Sequence, residues 1–457
     1  MSTLTVTNPK DGSPLAEVPA DDAASVAAKA ARARRAQPAW AAVPLAERKA
    51  TIARFRAGLV AELETLATTL TQEVGKPLAQ SRNELNGLLG RIDFFLEHAG
   101  ETTASETVYT DATTTERIDH DPLGVIANIS AWNYPYFVGG NVFVPALLTG
   151  NAVLYKPSEF ATLTGLHIAR LLHAAGVPED VFVVLVGAGE VGAALLAQKV
   201  DGVFFTGSVA TGAKIAAVMG SRMVRLQLEL GGKDPTYVAD DADPKLAAES
   251  LADGAMYNTG QSCCSVERIY VHERIHDAFV EHFLAAVAAF KIGDPLVDGT
   301  YIGPLTRAPQ LAVLEDQVAD SLARGAQLRA GGKRIAQAGN WFEPTVFTGV
   351  NHTMTLMRDE SFGPIIGIQK VADDDEALAL MNDTRYGLTA GMYTRDGARA
   401  EKLLSRVNAG SVYWNCCDRV SPRLPWSGHG DSGMGVTLST YGIEAFTRPR
   451  AWHLRSP

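Results

Sequence analysis

Cysteine is scarce in this chain. Its 457 residues include four cysteines, in two adjacent pairs, Cys263-Cys264 and Cys416-Cys417. Neighbouring residues rarely present both thiolates to one zinc, and no Cys-x-x-Cys occurs, so no metal site is expected. A chain this long is not stapled by so few thiols, which excludes a disulfide framework. Long apolar runs are missing too: no uninterrupted segment has the length to span a bilayer. Basic residues are outnumbered, leaving a formal net charge of −10, and that argues against a nucleic-acid partner. The first residues, Met-Ser-Thr-Leu-Thr-Val, lack the basic start and apolar core of a signal peptide. The expectation is a cytoplasmic protein with reduced thiols, no membrane partner and no metal.

What is present is ordinary globular composition, 46% hydrophobic and 20% charged, at a length that predicts two or three domains. Residues 1–20 read as an extended strand and turns. From Asp21 to Glu97 the apolar residues recur at helix spacing, a scaffold with no visible chemistry. Thr102–Thr115 reads as a polar β excursion. Short apolar strands then alternate with helices from Gly124 to Leu230. The pattern repeats from Lys245 to about Val407. Such alternation predicts parallel sheets covered on both faces, an α/β fold with nucleotide-binding architecture. A strand-like tail, Tyr441–Leu454, closes the chain.

Two stretches suggest chemistry. Glu229 precedes the double glycine Gly231-Gly232, and Cys263 follows Gly260-Gln261-Ser262. A carboxylate and a thiol beside tight turns suit a base and a nucleophile. Two glycine loops compete as dinucleotide site. Gly187-Ala-Gly189-Glu-Val-Gly192 matches G-x-G-x-x-G between strand and helix. Phe205-Thr-Gly207-Ser208-Val-Ala-Thr-Gly212 opens the next helix, whose N-terminus suits a pyrophosphate. Periodicity alone does not separate them. Lys156 and Glu159, just past a strand, lie where such sheets bind ligands.

These motifs, in order, resemble the NAD(P)-dependent aldehyde dehydrogenase superfamily over nearly the whole length. They are Trp132-Asn133-Tyr134-Pro135, Lys156-Pro-Ser158-Glu159, Phe205-Thr-Gly-Ser208, Leu228-Glu229-Leu-Gly-Gly-Lys233, Gly260-Gln-Ser-Cys263, Glu360-Ser-Phe362-Gly-Pro364 and Asn382-Asp-Thr-Arg-Tyr-Gly-Leu388. The resemblance implies a Rossmann-like cofactor domain (1–103 and 123–231), an α/β catalytic domain (232–430), and a small β oligomerisation arm with the C-terminal tail (104–122 and 431–457). A homodimer or homotetramer is implied.

The resemblance also implies roles. Cys263 is the nucleophile that takes an aldehyde through a thiohemiacetal to an acyl-thioester. Asn133 and the Cys263 N–H hold the oxyanion, and Glu229 activates the hydrolytic water. The Gly207–Gly212 loop becomes the cofactor loop and Gly189 at most a wall of the adenine pocket. Trp132, Ser158, Leu230, Glu360 and Phe362 join the cofactor site, with Lys156 on a ribose. Glu159 on the adenosine ribose favours NAD and leaves NADP open. Tyr134, Asn141, Tyr257, Cys264, Asp418 and Trp426 are expected in the substrate tunnel. Tyr134, Tyr257 and Trp426 with Asp418 would suit a cationic aminoaldehyde of the betaine-aldehyde type. Arginines Arg419 and Arg423, if inward, would suit a semialdehyde bearing a carboxylate; if outward, they are solvated. Relatives often carry an aromatic residue where Asn141 stands, which implies a wider tunnel. Two rivals remain: an acylating enzyme that uses coenzyme A or phosphate, and a non-catalytic protein that kept the fold.

Overall fold

A computed structural model describes residues 2–456. A hairpin, Thr3–Thr7 with Pro14–Pro19, leads into four helices, Ala23–Ala42, Leu45–Ala61, Leu63–Val74 and Leu78–Thr102. The first starts at a reciprocal cap: Asp22 accepts the Ser25 N–H at 2.8 Å and the Ser25 hydroxyl accepts the Asp22 N–H at 2.9 Å. Such a cap stabilises a helix by about 1 kcal/mol.

These helices pack on a six-stranded sheet. Its order is Gly433–Met434, Arg225–Glu229, Gly202–Thr206, Val125–Ile129, Ala152–Lys156, Phe182–Val184. Five strands run parallel, and Gly433–Met434 pairs antiparallel with Arg225–Glu229. Val125–Ile129 and Ala152–Lys156 are buried at every position, as central parallel strands must be. Strand order reverses between Val125–Ile129 and Gly202–Thr206. The loops leaving those strands, at Trp132 and at Gly207, flank a topological switch point, where doubly wound sheets take ligands.

The second sheet has seven strands: Gln327–Ala330, Thr345–Thr348, Ile365–Val371, Val266–His272, Asp234–Val238, Thr389–Tyr393, Ser411–Trp414. All pairs are parallel except the outermost, Gln327–Ala330 with Thr345–Thr348. Periodicity does not announce Asp234–Val238, Thr345–Thr348 or Ser411–Trp414. They are only four or five residues long, and the first carries Pro235. A register shift between Asp234 and Pro235 lets the sheet tolerate a residue that cannot donate to the ladder.

The C-terminal tail divides. Gly433–Met434 joins the first sheet, and Ser439–Glu444 is a helix. Only Thr447–Arg455 enters the small third sheet, lying along Thr114–Pro122 over nine residues, with Glu106–Thr110 on the far side. Among the described residues no helix is long and apolar enough to cross a membrane.

Candidate active site

Helix Pro244–Met256 delivers the chain to a tight loop in which Asn258, Thr259 and Gly260 all have positive φ, 53°, 57° and 71°. A β-branched residue in that region costs on the order of 1–3 kcal/mol, so its neighbours must hold it. Gln80 Oε1 accepts the Asn258 N–H at 2.9 Å. The Thr259 hydroxyl donates to the Gly303 carbonyl at 3.2 Å and accepts the Gly303 N–H at 3.1 Å. At Gly260 only glycine fits, because a Cβ would lie 2.2 Å from the Gly363 oxygen. The loop leaves Cys263 partly exposed and Cys264 buried.

The two thiols differ in environment. Cys264 donates to Asp418 Oδ1 at 2.9 Å. The adjoining Cys263 thiol and burial hold it well above the ordinary thiol range, so Cys264 stays protonated. Cys263 has no such tether among the described residues.

Glu229 ends its strand fully enclosed. Gln227 Nε2 donates to Oε1 at 2.9 Å, and the Thr437 hydroxyl donates to the same oxygen. Burial pushes the carboxyl up to about 7, against the pull of Thr437, the Arg91 charge and Gln227. The glycine turn that follows meets the cysteine loop: a Cβ on Gly232 would sit 3.0 Å from the Cys263 oxygen. Glu229 and Cys263 line one cavity of about 610 Å³.

Asn133 is buried and is not among the residues that line this cavity. Its Nδ2 donates to the Gln261 carbonyl at 3.1 Å, which orients the amide and leaves its second N–H. Asn258 clamps the same corner, donating to the Asn133 and Gln261 carbonyls at 3.3 and 3.1 Å. The Cys263 N–H has no acceptor among the described residues. Gln261 thus ties the amide to the loop that carries Cys263.

Tyr134, Asn141, Tyr257, Cys264, Asp418 and Trp426 all line the same cavity. Burial pushes the Asp418 carboxyl up to about 6. Arg419 lines the cavity from an exposed position, whereas Arg423 is exposed and outside it. Asn141 does not face an empty wall. Arg91 fills that side, donating to Asn141 Oδ1 at 2.9 Å. Nor are the first helices bare of chemistry: Leu78–Thr102 supplies Gln80, Asn83, Glu84 and Arg91 to the cavity wall. Arginine in a helix reads as solvated face, and no spacing signal marks these residues as inward.

On the other side of the Cys263 loop the residues fit a dinucleotide. Ser208 caps the helix Val209–Met219, which presents free N–H groups to an anion. Gly212 gives Leu230 its space, since a Cβ would meet the leucine at 2.5 Å. The Lys156 ammonium is buried with one carbonyl contact, Pro157 at 3.1 Å, and Glu159 3.8 Å away. Gly192, in the earlier glycine loop, lies beside Lys156. Glu360, its pKa raised by burial and by Glu267, accepts the Gly232 N–H at 3.1 Å. Phe362, at φ 48°, meets Trp132 edge to face with ring centres 5.5 Å apart. Its turn is fixed by Glu267, which accepts the Phe362 N–H at 3.0 Å and pairs with buried Lys233 at 2.6 Å.

A nucleotide-type sheet facing a thiol, an acid and an amide defines an oxidoreductase acting on aldehyde groups. The chain belongs to the aldehyde dehydrogenase family, whose profile matches residues 1–452. It is 34% identical to betaine aldehyde dehydrogenase 2 of Rhizobium meliloti, across 96% of this chain and 92% of that protein. It is 34% identical to glutarate-semialdehyde dehydrogenase of Pseudomonas putida, across 97% of this chain and 92% of that protein. A crystal structure of an NADP-dependent enzyme of E. coli superposes with a TM-score of 0.96 at 32% identity, covering 100% of this chain and 95% of the other.

Proposed function

We propose that the chain oxidises an aldehyde to its carboxylic acid with NAD, through a covalent intermediate on Cys263. The observation that carries this reading is the convergence of Cys263 and Glu229 on one cavity, beside loops that fit a dinucleotide. Lys156, Glu159, Ser208 and Glu360 would hold the cofactor. When bound, its nicotinamide supplies the two-electron acceptor.

The Cys263 thiolate adds to the carbonyl carbon, giving a tetrahedral thiohemiacetal. Charge develops on the carbonyl oxygen, where the free Asn133 N–H and the Cys263 N–H stabilise it. Losing one such donor costs about 3 kcal/mol of barrier. The alkoxide re-forms the carbonyl as the C–H bond breaks and its hydrogen leaves as hydride to the two-electron acceptor, and Cys263 then carries an acyl-thioester. Glu229, with its pKa near 7, takes a proton from water as that water attacks the acyl carbon. The C–S bond then breaks, and the acid leaves with the thiolate restored. Because Glu229 makes water available as the acceptor, coenzyme A is not required. The two relatives named above carry names with aldehydes of opposite charge, so family membership leaves the substrate's charge to the cavity.

The test is NADH formation on mixing protein, NAD and aldehyde. Cys263→Ala should abolish it. Glu229→Gln should give a burst near one NADH per site followed by slow turnover. An undiminished rate in Cys263→Ala would remove the mechanism.

A further inference from the structure

The cavity holds a buried cation that acts on Glu84 and Glu229 only through space and that no step above brings against the substrate. Arg91 is 5% exposed. Its Cζ stands 3.7 Å from the centre of the Phe137 ring, and its Nη1 bonds Asn141 Oδ1. Gly87, one turn earlier, prepares this contact. A Cβ there would fall 2.6 Å from the Phe137 ring, so the ring packs on bare backbone. A guanidinium carries five N–H donors. Among the described residues Asn141 is its only hydrogen-bond acceptor, and no carboxylate forms a contact ion pair with it. Enclosing such a charge without a counter-ion costs several kcal/mol. Burial lowers its pKa only to about 10, so it remains charged at neutral pH.

The cavity's other charges are already answered. Glu84 pairs with buried Lys76 and accepts the Tyr136 N–H at 2.8 Å. Asp418 receives the Cys264 thiol. Asp253, exposed at the rim, accepts the Tyr301 hydroxyl. Two aromatic faces are taken as well: Lys76 Nζ stands 3.7 Å from the Tyr134 ring centre, and Arg91 covers Phe137. Of the three rings expected to cage a cationic substrate, Tyr134 is therefore already taken by one of the protein's own cations. The group still missing a partner is Arg91.

We infer that Arg91, oriented by Asn141, anchors an aldehyde whose far end carries a carboxylate. The inference rests on the oxidation proposed above. The carbonyl goes to Cys263 while the carboxylate meets the open edge of the guanidinium, a planar fork suited to bidentate pairing. Arg419, at the exposed rim, adds positive charge along the entrance.

The experiment compares kcat/KM for ω-carboxy aldehydes of about three to six carbons with alkanals of equal length, and 4-carboxybenzaldehyde with benzaldehyde. The natural chain should prefer the carboxylate by about tenfold or more for at least one pair. Arg91→Gln and Asn141→Asp should each cut that preference by about 10- to 100-fold, with KM carrying most of the change. A ratio cancels any general loss of rate. Asn141→Asp keeps Arg91 and gives it a permanent counter-ion, which covers a failure of Arg91→Gln to fold. Oxidation of alkanals with no carboxylate preference, or a preference that survives both variants, overturns the assignment and leaves the oxidation standing. No NADH from any aldehyde removes both.

Discussion

Glu229 shows how far burial alone tunes one residue. In its proposed role as base it works as a carboxylate, and its pKa stands near 7, so deacylation should rise between about pH 6 and 8. The Thr437 hydroxyl favours the charged form. Thr437→Val should therefore push the pKa higher and move the rising limb of the pH–rate profile alkaline by about one pH unit. A limb that stays in place, or moves to acid, contradicts the assignment. Just past the strand Ala152–Lys156, Glu159 places a negative charge near Lys156. Glu159→Gln should raise the NADP-to-NAD ratio of kcat/KM by about tenfold, read from initial rates. Cys263 and Glu229 stand out in the sequence because tight turns flank them, whereas Asn133 is picked out only by the family resemblance of Trp132-Asn133-Tyr134-Pro135. Thr437, Gln227 and Arg91 carry neither mark. Thr437 and Arg91 reach the site from distant elements, and a lone threonine or helical arginine carries no local sign of where its side chain ends; Gln227 shares the strand of Glu229, where a single glutamine gives no hint that it bonds the acid two residues on.

Among the elements, the loop Asn258–Gly260 carries the most local strain. Left-handed Thr259 is held by Gly303 and Asn258 by Gln80, so one turn is braced from two directions. Gly260→Ala would meet the Gly363 carbonyl and also oppose φ 71°. We expect roughly 2–4 kcal/mol of lost stability, measured by denaturant unfolding, and a fall in kcat as the loop shifts. Unchanged stability would mean that the two loops part freely. The central strands of the first sheet are readable because most of their residues are apolar. The second sheet is harder, since Asp234–Val238 begins Asp-Pro and Ser411–Trp414 alternates between exposed and half-buried positions. Such strands are made by their neighbours more than by their own composition.

Across the whole molecule, the third sheet stands apart in character. Glu106–Thr110 is exposed at every position, with Val108 57% and Tyr109 49% exposed. Three strands without a covering layer are marginal alone, and unpaired edges invite another chain. We expect this arm to join subunits. Removing residues 447–457 should yield a smaller species by sedimentation; an unchanged mass would place the contact elsewhere. The same tail has another duty upstream of the arm. Gly433–Met434 lies along the strand that bears Glu229, Ser432 Oγ donates to the Gly231 carbonyl at 2.7 Å, and Thr437 touches the acid itself. Translation delivers these residues well after Cys263. A nascent polypeptide thus owns its sulfur long before its acid is seated.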